Sequence, residues 1–439
     1  MSKFIFYHLR WPVLATLIMF GSGSAQAAQP VNGSGAVAPD VLVNEVLEKN
    51  PELALYRSEI DAAKGARKTA SALSNPEFSG SLGRKRVWDE EGELTGEGAA
   101  GEASVMQSLE WPGRIGLRRA IAERDIELAE LGLEQFRAVL AGQAKSAIYD
   151  AAAAQELAAA TREVADHFRS LREVLVQRDP AGLTPLLETR VIEAMELTMQ
   201  RKAGEAAIAA QAALFRLNRL RGAAADSELS LDRLLLSFQP LKKDRRTLAA
   251  LASANDLSVR LRELELARQG FRVDLAGNEQ FGAVAVGPSF SQERAGDRER
   301  VIGAALSVPL PLWNQNQGNI EMAKAQKSQA ETSLDIARHE AERRVIEAAV
   351  IYETRFKEMA AWRPDSVRHF KEAAELADRH YRLGAVPVSI YLELQTQYLE
   401  AVEGLQSTRR EALEAALELE LLTQTPLDLI GAPAGEEKQ

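Results

Sequence analysis

Ser307-Val308-Pro309-Leu310-Pro311 stands in the second half of the chain where Ser108-Leu109-Glu110-Trp111-Pro112 stands in the first. Each string is preceded and followed by further echoes. Asn50-Pro51-Glu52-Leu53 opens a helical pattern that ends near Asn75-Pro76-Glu77-Phe78; Asn255-Asp256-Leu257 opens another, about 204 residues later, that ends near Asn278-Glu279-Gln280-Phe281. Downstream, Gly182-Leu183-Thr184-Pro185 is matched by Gly384-Ala385-Val386-Pro387. Landmarks in one order at a near-constant offset describe a duplicated half-molecule, not a short solenoid unit.

Each half holds one conspicuous helical stretch, Gly113 to Arg178 and Gly318 to Leu383, rich in Ala, Glu, Leu, Arg and Gln. At 1.5 Å per residue each makes a rod roughly 100 Å long, beyond the helices of ordinary globular domains. Pro364 interrupts the second rod and is expected to kink or split it. Return helices follow at about Pro185 to Arg221 and Pro387 to Gln424, so each unit reads as a long antiparallel hairpin.

Two short stretches of another character precede each rod. Ile302, Ala304, Leu306, Val308 and Leu310 alternate with Val301, Gly303, Ala305, Ser307 and Pro309, the period-2 pattern of a membrane barrel strand. Ala103, Val105, Leu109 and Trp111 alternate with Glu102, Ser104, Ser108 and Glu110, with Met106 and Gln107 breaking the pattern. Phe78 to Arg86 and Phe281 to Gln292 supply partner strands, and Asp89 to Gly101 and Arg294 to Arg300, charged or glycine-rich, read as loops. Four strands cannot close a membrane barrel, which takes about eight, and open edges cannot face lipid. The chain must oligomerise if these strands are membranous, and sequence alone allows a dimer. The competing reading is two surface hairpins on a soluble coiled-coil protein.

The N-terminus carries Lys3 and Arg10, an apolar run from Trp11 to Phe20 and small residues ending at Ala27, the order of a cleaved signal peptide over 1–27. Residues 28–39, rich in Gly, Ala, Ser and Pro, read as a flexible leader. The first repeat then covers 40–239, with a β-hairpin at about 77–111 and a helical hairpin at about 113–222. The second covers 240–425, with the hairpins at about 280–311 and 318–424, before a tail at 426–439. Removing Lys3 and Arg10 from the 53 basic residues leaves 51 against 63 acidic ones, which argues against a nucleic-acid partner. No cysteine is present, so there is neither a disulfide staple nor a lipidated N-terminal Cys.

Leu109-Glu110-Trp111-Pro112-Gly113-Arg114 and the string from Leu306 through Pro309, Pro311, Trp313 and Asn316 to Gly318 resemble the strand-to-helix junctions of TolC-like outer-membrane factors. The second string is most similar to the cobalt–zinc–cadmium resistance subfamily. The resemblance covers about Asp40 to Gln424. It implies a mainly α chain with a β-barrel contribution: two repeated helical hairpins in a periplasmic α-barrel, and four strands that complete a 12-stranded barrel as a homotrimer. It implies an exit duct in the outer membrane of a Gram-negative bacterium, working with a periplasmic adaptor and an inner-membrane pump of the resistance-nodulation-division type. At the junctions, Pro112, Pro309 and Pro311 end the strand ladder, and Gly113 or Gly318 lets the chain turn into the helix.

Carried onto this chain, the family's periplasmic aperture falls on the turns Arg178 to Pro185 and Tyr381 to Pro387. Gly182 and Gly384 permit reversal there, Pro185 and Pro387 start the return helices, and Arg382 and Leu383 are adaptor contacts. Glu188 and Glu393 match acidic positions just inside the aperture, where threefold symmetry would make carboxylate rings. Ile390 departs from the pattern at a position that is often acidic, so one ring is in doubt.

Metal binding finds little support. His167, His339, His369 and His380 include no pair at i, i+4, and Met195 and Met199, which do have that spacing, fit packing between helices better than a soft-cation site. No phosphate loop, cysteine nucleophile or nucleophile elbow is present. The chain therefore reads as a cofactor-free conduit and not an enzyme. Rival readings keep the duct with drugs or a secreted protein as cargo, or replace it with a periplasmic scaffold without a pore.

Overall fold

The computed structural model describes residues 38–431 apart from 178–182, 230, 232–235 and 363–365; the expected signal peptide, most of the leader, Arg178, Gly182 and Pro364 lie outside the described residues. The order helix, helix, strand, strand, long helix, return helix occurs twice. In the first half these are α1 (Pro39–Lys49), α2 (Glu52–Ala70), β1 (Glu77–Trp88), β2 (Leu94–Leu109), α3 (Arg114–Gln177) and α4 (Leu183–Arg221). After the short β3 (Ser237–Phe238) come α5 (Arg245–Asn255), α6 (Leu257–Asn278), β4 (Val284–Ala295), β5 (Asp297–Ser307), α7 (Gln317–Ala361), α8 (Ser366–Arg382), α9 (Val388–Thr423) and β6 (Ile430–Gly431).

With 64 residues, α3 rises for roughly 95 Å. Such a rod is held by lateral packing. Phe168, Leu171, Ile192, Met199 and Tyr391 form one core among α3, α4, α8 and α9. Val345, Tyr352, Leu419 and Leu422 centre a second, where α5, α6, α7 and α9 meet the C-terminal segment. Leu42, Leu53, Leu140, Ile148 and Leu217 centre a third among α1 to α4. Each fully buried side chain of this size contributes about 1.5–3 kcal/mol. Met199 is in the first core and Met195 packs against it.

The second rod is interrupted, since α7 ends at Ala361 and α8 begins at Ser366. Two further features correct the sequence reading. The leader ends at a helix, because Pro39 takes a first-turn position of α1, where its missing N–H costs nothing. The segment after 425 is not all tail: β6 pairs with β3, Ser237 opposite Gly431, and Leu429 is buried. Tyr352 secures this joint, its hydroxyl donating to the Gln239 carbonyl at 2.7 Å with the Leu429 carbonyl at 3.0 Å also in reach. Burial pushes its phenol up to about 12.

The four longer strands form one antiparallel sheet in the order β1-β2-β4-β5. The expected loops at 89–101 and 294–300 are shorter than their composition suggests. β2 already begins at Leu94, and β4 turns into β5 at Gly296 alone, with φ at +99°. The glycines of 94–101 serve close approach: a Cβ on Gly96 or Gly98 would collide with the carbonyls of Ala295 and Arg294.

Candidate functional site

Registered partners in an antiparallel pair share a face, as do residues two apart along a strand. One face of the sheet therefore carries Phe78 opposite Val105, Ala103 opposite Phe290, Phe290 opposite Ile302, and Val286 opposite Leu306. The other carries Ser79 opposite Ser104, Ser104 opposite Ser289, Ser81 opposite Glu102, Glu102 opposite Ser291, and Glu293 opposite Glu299. Ser79 and Ser104 are hydrogen-bonded at 2.8 Å, and Lys85 on β1 pairs with Glu293 on β4 across the intervening strand. Met106 and Val301 are apolar exceptions on this polar face, and Gln107 is a polar exception on the apolar one.

The apolar face is exposed, and on the central strands β2 and β4 it is more exposed than the polar one. Leu82 is 95% exposed and Ile302 83%. The sheet also closes toward its polar face. Gly96, Gly98 and Gly287 all point to that side, and a Cβ on any of them would meet the backbone of the neighbouring strand. A curled sheet that is apolar on the outside and polar on the inside inverts the ordinary globular arrangement and suits a water-filled barrel in lipid. The outer edges of β1 and β5 have no strand beside them among the described residues.

At the helical end, the turn from α8 into α9 is a left-handed reversal at Gly384, with φ at +72°. Ala385 N–H donates to the His380 carbonyl at 2.8 Å and Gly384 N–H to that of Tyr381 at 2.9 Å. Leu383 is 80% exposed beside it, and Arg382 reaches back to Asp378 at 2.8 Å. Pro387 is the N-cap of α9. Tyr381 stacks on Tyr391 at 5.3 Å, Tyr391 meets Phe168 edge-on at 5.2 Å, and the Tyr381 hydroxyl donates to Glu188 at 3.4 Å. That contact joins α8 to α4, and so one hairpin to the other. Lys371 pairs with Glu163 at 3.0 Å and ties α8 to α3, and the carboxylate holds its ammonium above the usual lysine range. Burial, and next the negative Asp378, push the Tyr391 phenol up.

At the junctions, Trp111 stacks on Phe281 at 4.6 Å, and Gly113 turns the chain with φ at +88°. Arg114 donates to the Asn278 side chain at 3.0 Å and also to the Phe281 carbonyl, and Asn278 donates to the Pro112 carbonyl at 3.0 Å.

The sequence scan matches no family model. Among curated proteins, the chain is 26% identical over 336 residues to the nickel-cobalt-cadmium resistance protein NccC of Alcaligenes xylosoxydans xylosoxydans, covering 74% of this chain and 71% of that one. It is 24% identical over 310 residues to the cobalt-zinc-cadmium resistance protein CzcC of Cupriavidus metallidurans, covering 69% of each. Among solved structures, the Campylobacter jejuni CmeC outer membrane channel superposes with a TM-score of 0.68 at 15% identity over 94% of both chains. The chain has the fold of a TolC-like outer-membrane factor.

Within that TolC-like frame the candidate residues fall into separate groups. Trp111, Pro112 and Gly113 sit together between β2 and α3, and Pro309 and Pro311 follow β5. Gly318 does not turn the chain. It lies inside α7, and the left-handed residue is Asn316, with φ at 59°. Asparagine tolerates that conformation, and its side chain is anchored on the Ala276 carbonyl at 2.8 Å. Arg178 and Gly182 lie outside the described residues, and Pro185 falls within α4. Glu188 is half-buried against Tyr381, whereas Glu393 is exposed and accepts from Gln397.

Sequence reasoning quoted Tyr381, Asn278 and Asn316 within longer strings without giving them a role of their own, and it missed Gly282, which leaves no room for a Cβ beneath Pro309. The partners of Asn278 and Tyr381 lie 164 and 193 residues away. The duplicated Asn278 landmark, the place of Tyr381 at the tip turn and that of Asn316 in the junction string were the signals available.

Proposed function

We propose that this chain is the outer-membrane exit duct of a tripartite efflux system, passing heavy-metal cations of the nickel, cobalt, zinc and cadmium class from a periplasmic adaptor and an inner-membrane pump to the outside. The observation that carries the reading is the inverted sheet with two open edges among the described residues, joined to helical hairpins of which the longest arm, α3, rises roughly 95 Å. Unpaired edges cannot stand in lipid, so the strands pair with those of neighbouring copies. A trimer supplies 12 strands. The names of NccC and CzcC support the metal cargo.

Mechanistically the duct does no chemistry, and the pump supplies the work. Glu77, Glu102, Glu293 and Glu299 on the polar face favour cations in the barrel. At the periplasmic end Glu188 and Glu393 act as aperture carboxylates, and Arg382, Leu383, Gly384 and Pro387, with Arg178, Gly182 and Pro185 of the other turn, form the adaptor-docking tips. The link from Tyr381 to Glu188 holds the hairpins together in the resting aperture.

The test is a gene deletion scored for tolerance to nickel, cobalt, zinc and cadmium against dyes and detergents, with a search for a heat-resistant trimer in outer-membrane fractions. Loss of metal tolerance alone, with the trimer present, is the expected result. Loss of drug tolerance alone reassigns the cargo, and a soluble periplasmic monomer defeats the duct.

A further inference from the structure

The apolar face of the sheet ends abruptly. Leu82, Gly101, Gln292 and Arg300 form one row across all four strands. On the same face, toward the strand tips, lie Arg84, Arg86, Arg294 and Arg298, with Glu97 as their one carboxylate among the described strand residues. The carboxylates Asp89, Glu90, Glu91 and Glu93 belong to the end of the β1–β2 hairpin, beyond Arg86 and farther from the apolar rows. The polar face at this level carries Glu293, Asp297 and Glu299 beside Lys85. Charge is thus segregated through the thickness of the sheet, cations on the convex lipid side and carboxylates mostly on the concave side.

These cations are poorly satisfied by the protein. Arg84 and Arg86 share Glu97 at 3.5 and 3.3 Å. Arg300 donates to the neutral Gln292 at 3.2 Å. Arg294 and Arg298 stand directly opposite each other in register, and among the described residues neither has a carboxylate within ion-pair distance. Like charges directly opposite on one face destabilise an antiparallel pair, so the arrangement calls for an external anion. Its depth says which one. From Leu310, three residues past the end of β5, back through Leu306 and Ile302 to Arg300 is about ten residues, the span needed to cross the hydrocarbon layer at a tilt. The arginines therefore stand at the headgroup level of the leaflet away from the helices.

We propose that Arg84, Arg86, Arg294, Arg298 and Arg300 form a docking surface for phosphorylated glycolipid headgroups in the outer leaflet. Guanidinium groups bind phosphate oxygens through paired hydrogen bonds, and the acyl chains continue down the adjoining rows of Ile302, Phe290 and Leu306. The site rests on the duct reading, because it needs the convex face to meet lipid.

The test reconstitutes the full-length protein into phosphatidylcholine vesicles containing a minor fraction of lipid A, or of lipid A stripped of its phosphates. Lipid retained after detergent extraction is then measured by mass spectrometry. Wild type is expected to retain the phosphorylated form on the order of tenfold better, and the double variant Arg294→Gln with Arg298→Gln to lose most of that preference. Equal retention of the two lipids by wild type overturns the site, as does an unchanged preference in a variant that inserts normally. Should the variant not insert, the wild-type comparison decides alone. Release of the lipid by millimolar inorganic phosphate would also overturn it, by assigning the cluster to a free anion. A chain that fails to enter vesicles at all defeats the duct reading, whereas one that enters and shows no preference defeats only the lipid site.

Discussion

The helical hairpins and the four-stranded sheet spend apolar side chains in opposite ways. Phe168, Ile192, Tyr352 and Leu419 are buried, whereas Leu82, Ile302, Phe78 and Leu306 stand out on the convex face of the sheet while serines and carboxylates line the concave one. One chain is thus written for two solvents. The hydrophobic effect packs the rods together, and in the sheet it selects lipid as the partner of the same residue types.

The largest expected effect belongs to the helical side. Phe168→Ala, which removes a fully buried ring beneath Tyr391, should cost about 3–5 kcal/mol, measured by denaturant unfolding of the purified assembly. Ile302→Ala should cost far less in the same assay, and equal losses at both positions would show that the sheet buries Ile302 as the rods bury Phe168. Next, Leu306→Arg should destabilise the inserted barrel by about 2–4 kcal/mol, read from the temperature at which the oligomer dissociates. Ser289→Lys on the opposite face should leave that temperature nearly unchanged. A larger loss at Ser289 would assign the faces the other way round.

Alkali should separate the two regions without mutation. Tyr149 and Tyr352 have phenols raised to about 12, chiefly by burial. The stability they contribute is fully present below the ordinary tyrosine value of 10 and is lost as pH rises through about 12. The strands β1, β2, β4 and β5 contain no tyrosine. Helical circular dichroism should therefore fall between pH 10 and 12 before the sheet signal does, and simultaneous loss would show that the regions unfold as one.

The smallest effects concern the aperture. Tyr381→Phe keeps the stacked ring and removes the hydroxyl that reaches Glu188, at a cost of about 1 kcal/mol or less. Planar-bilayer conductance should rise, and an unchanged conductance would make the contact structural and not a gate. Glu393→Ala should change conductance or its block by divalent cations only modestly, because the carboxylate is exposed and, among the described residues, accepts from its helix neighbour Gln397.

Local pattern carried much of this fold. Unbroken helical composition over Gly113 to Arg178 marks the start of α3 to within one residue and its run to Gln177, where the described residues stop, since Ala, Glu and Leu favour helix by their own propensity. Alternation over Val301 to Leu310 finds β5 but misplaces both ends, since the strand starts at Asp297 and stops at Ser307, ahead of Pro309, which cannot donate to the ladder. Composition misled at Leu94 to Gly101. Glycines usually signal a loop, but these lie in a strand where a neighbouring backbone passes too close for a Cβ. Gly318 was misread for a related reason, because an asparagine two residues earlier can adopt the left-handed turn when a distant carbonyl receives its side chain.

By itself the sequence determined the duplication, the two long hairpins and the four amphipathic strands, because each is a matter of local period and repeated order. Tertiary structure decided which strands are neighbours, that the polar face is concave, and that the arginines of three strands gather at one level of the convex face. It also decided that Tyr381 meets Glu188, 193 residues away in the chain. Those facts depend on register and on the approach of distant segments, and neither is written in the spacing of residues along one strand or helix.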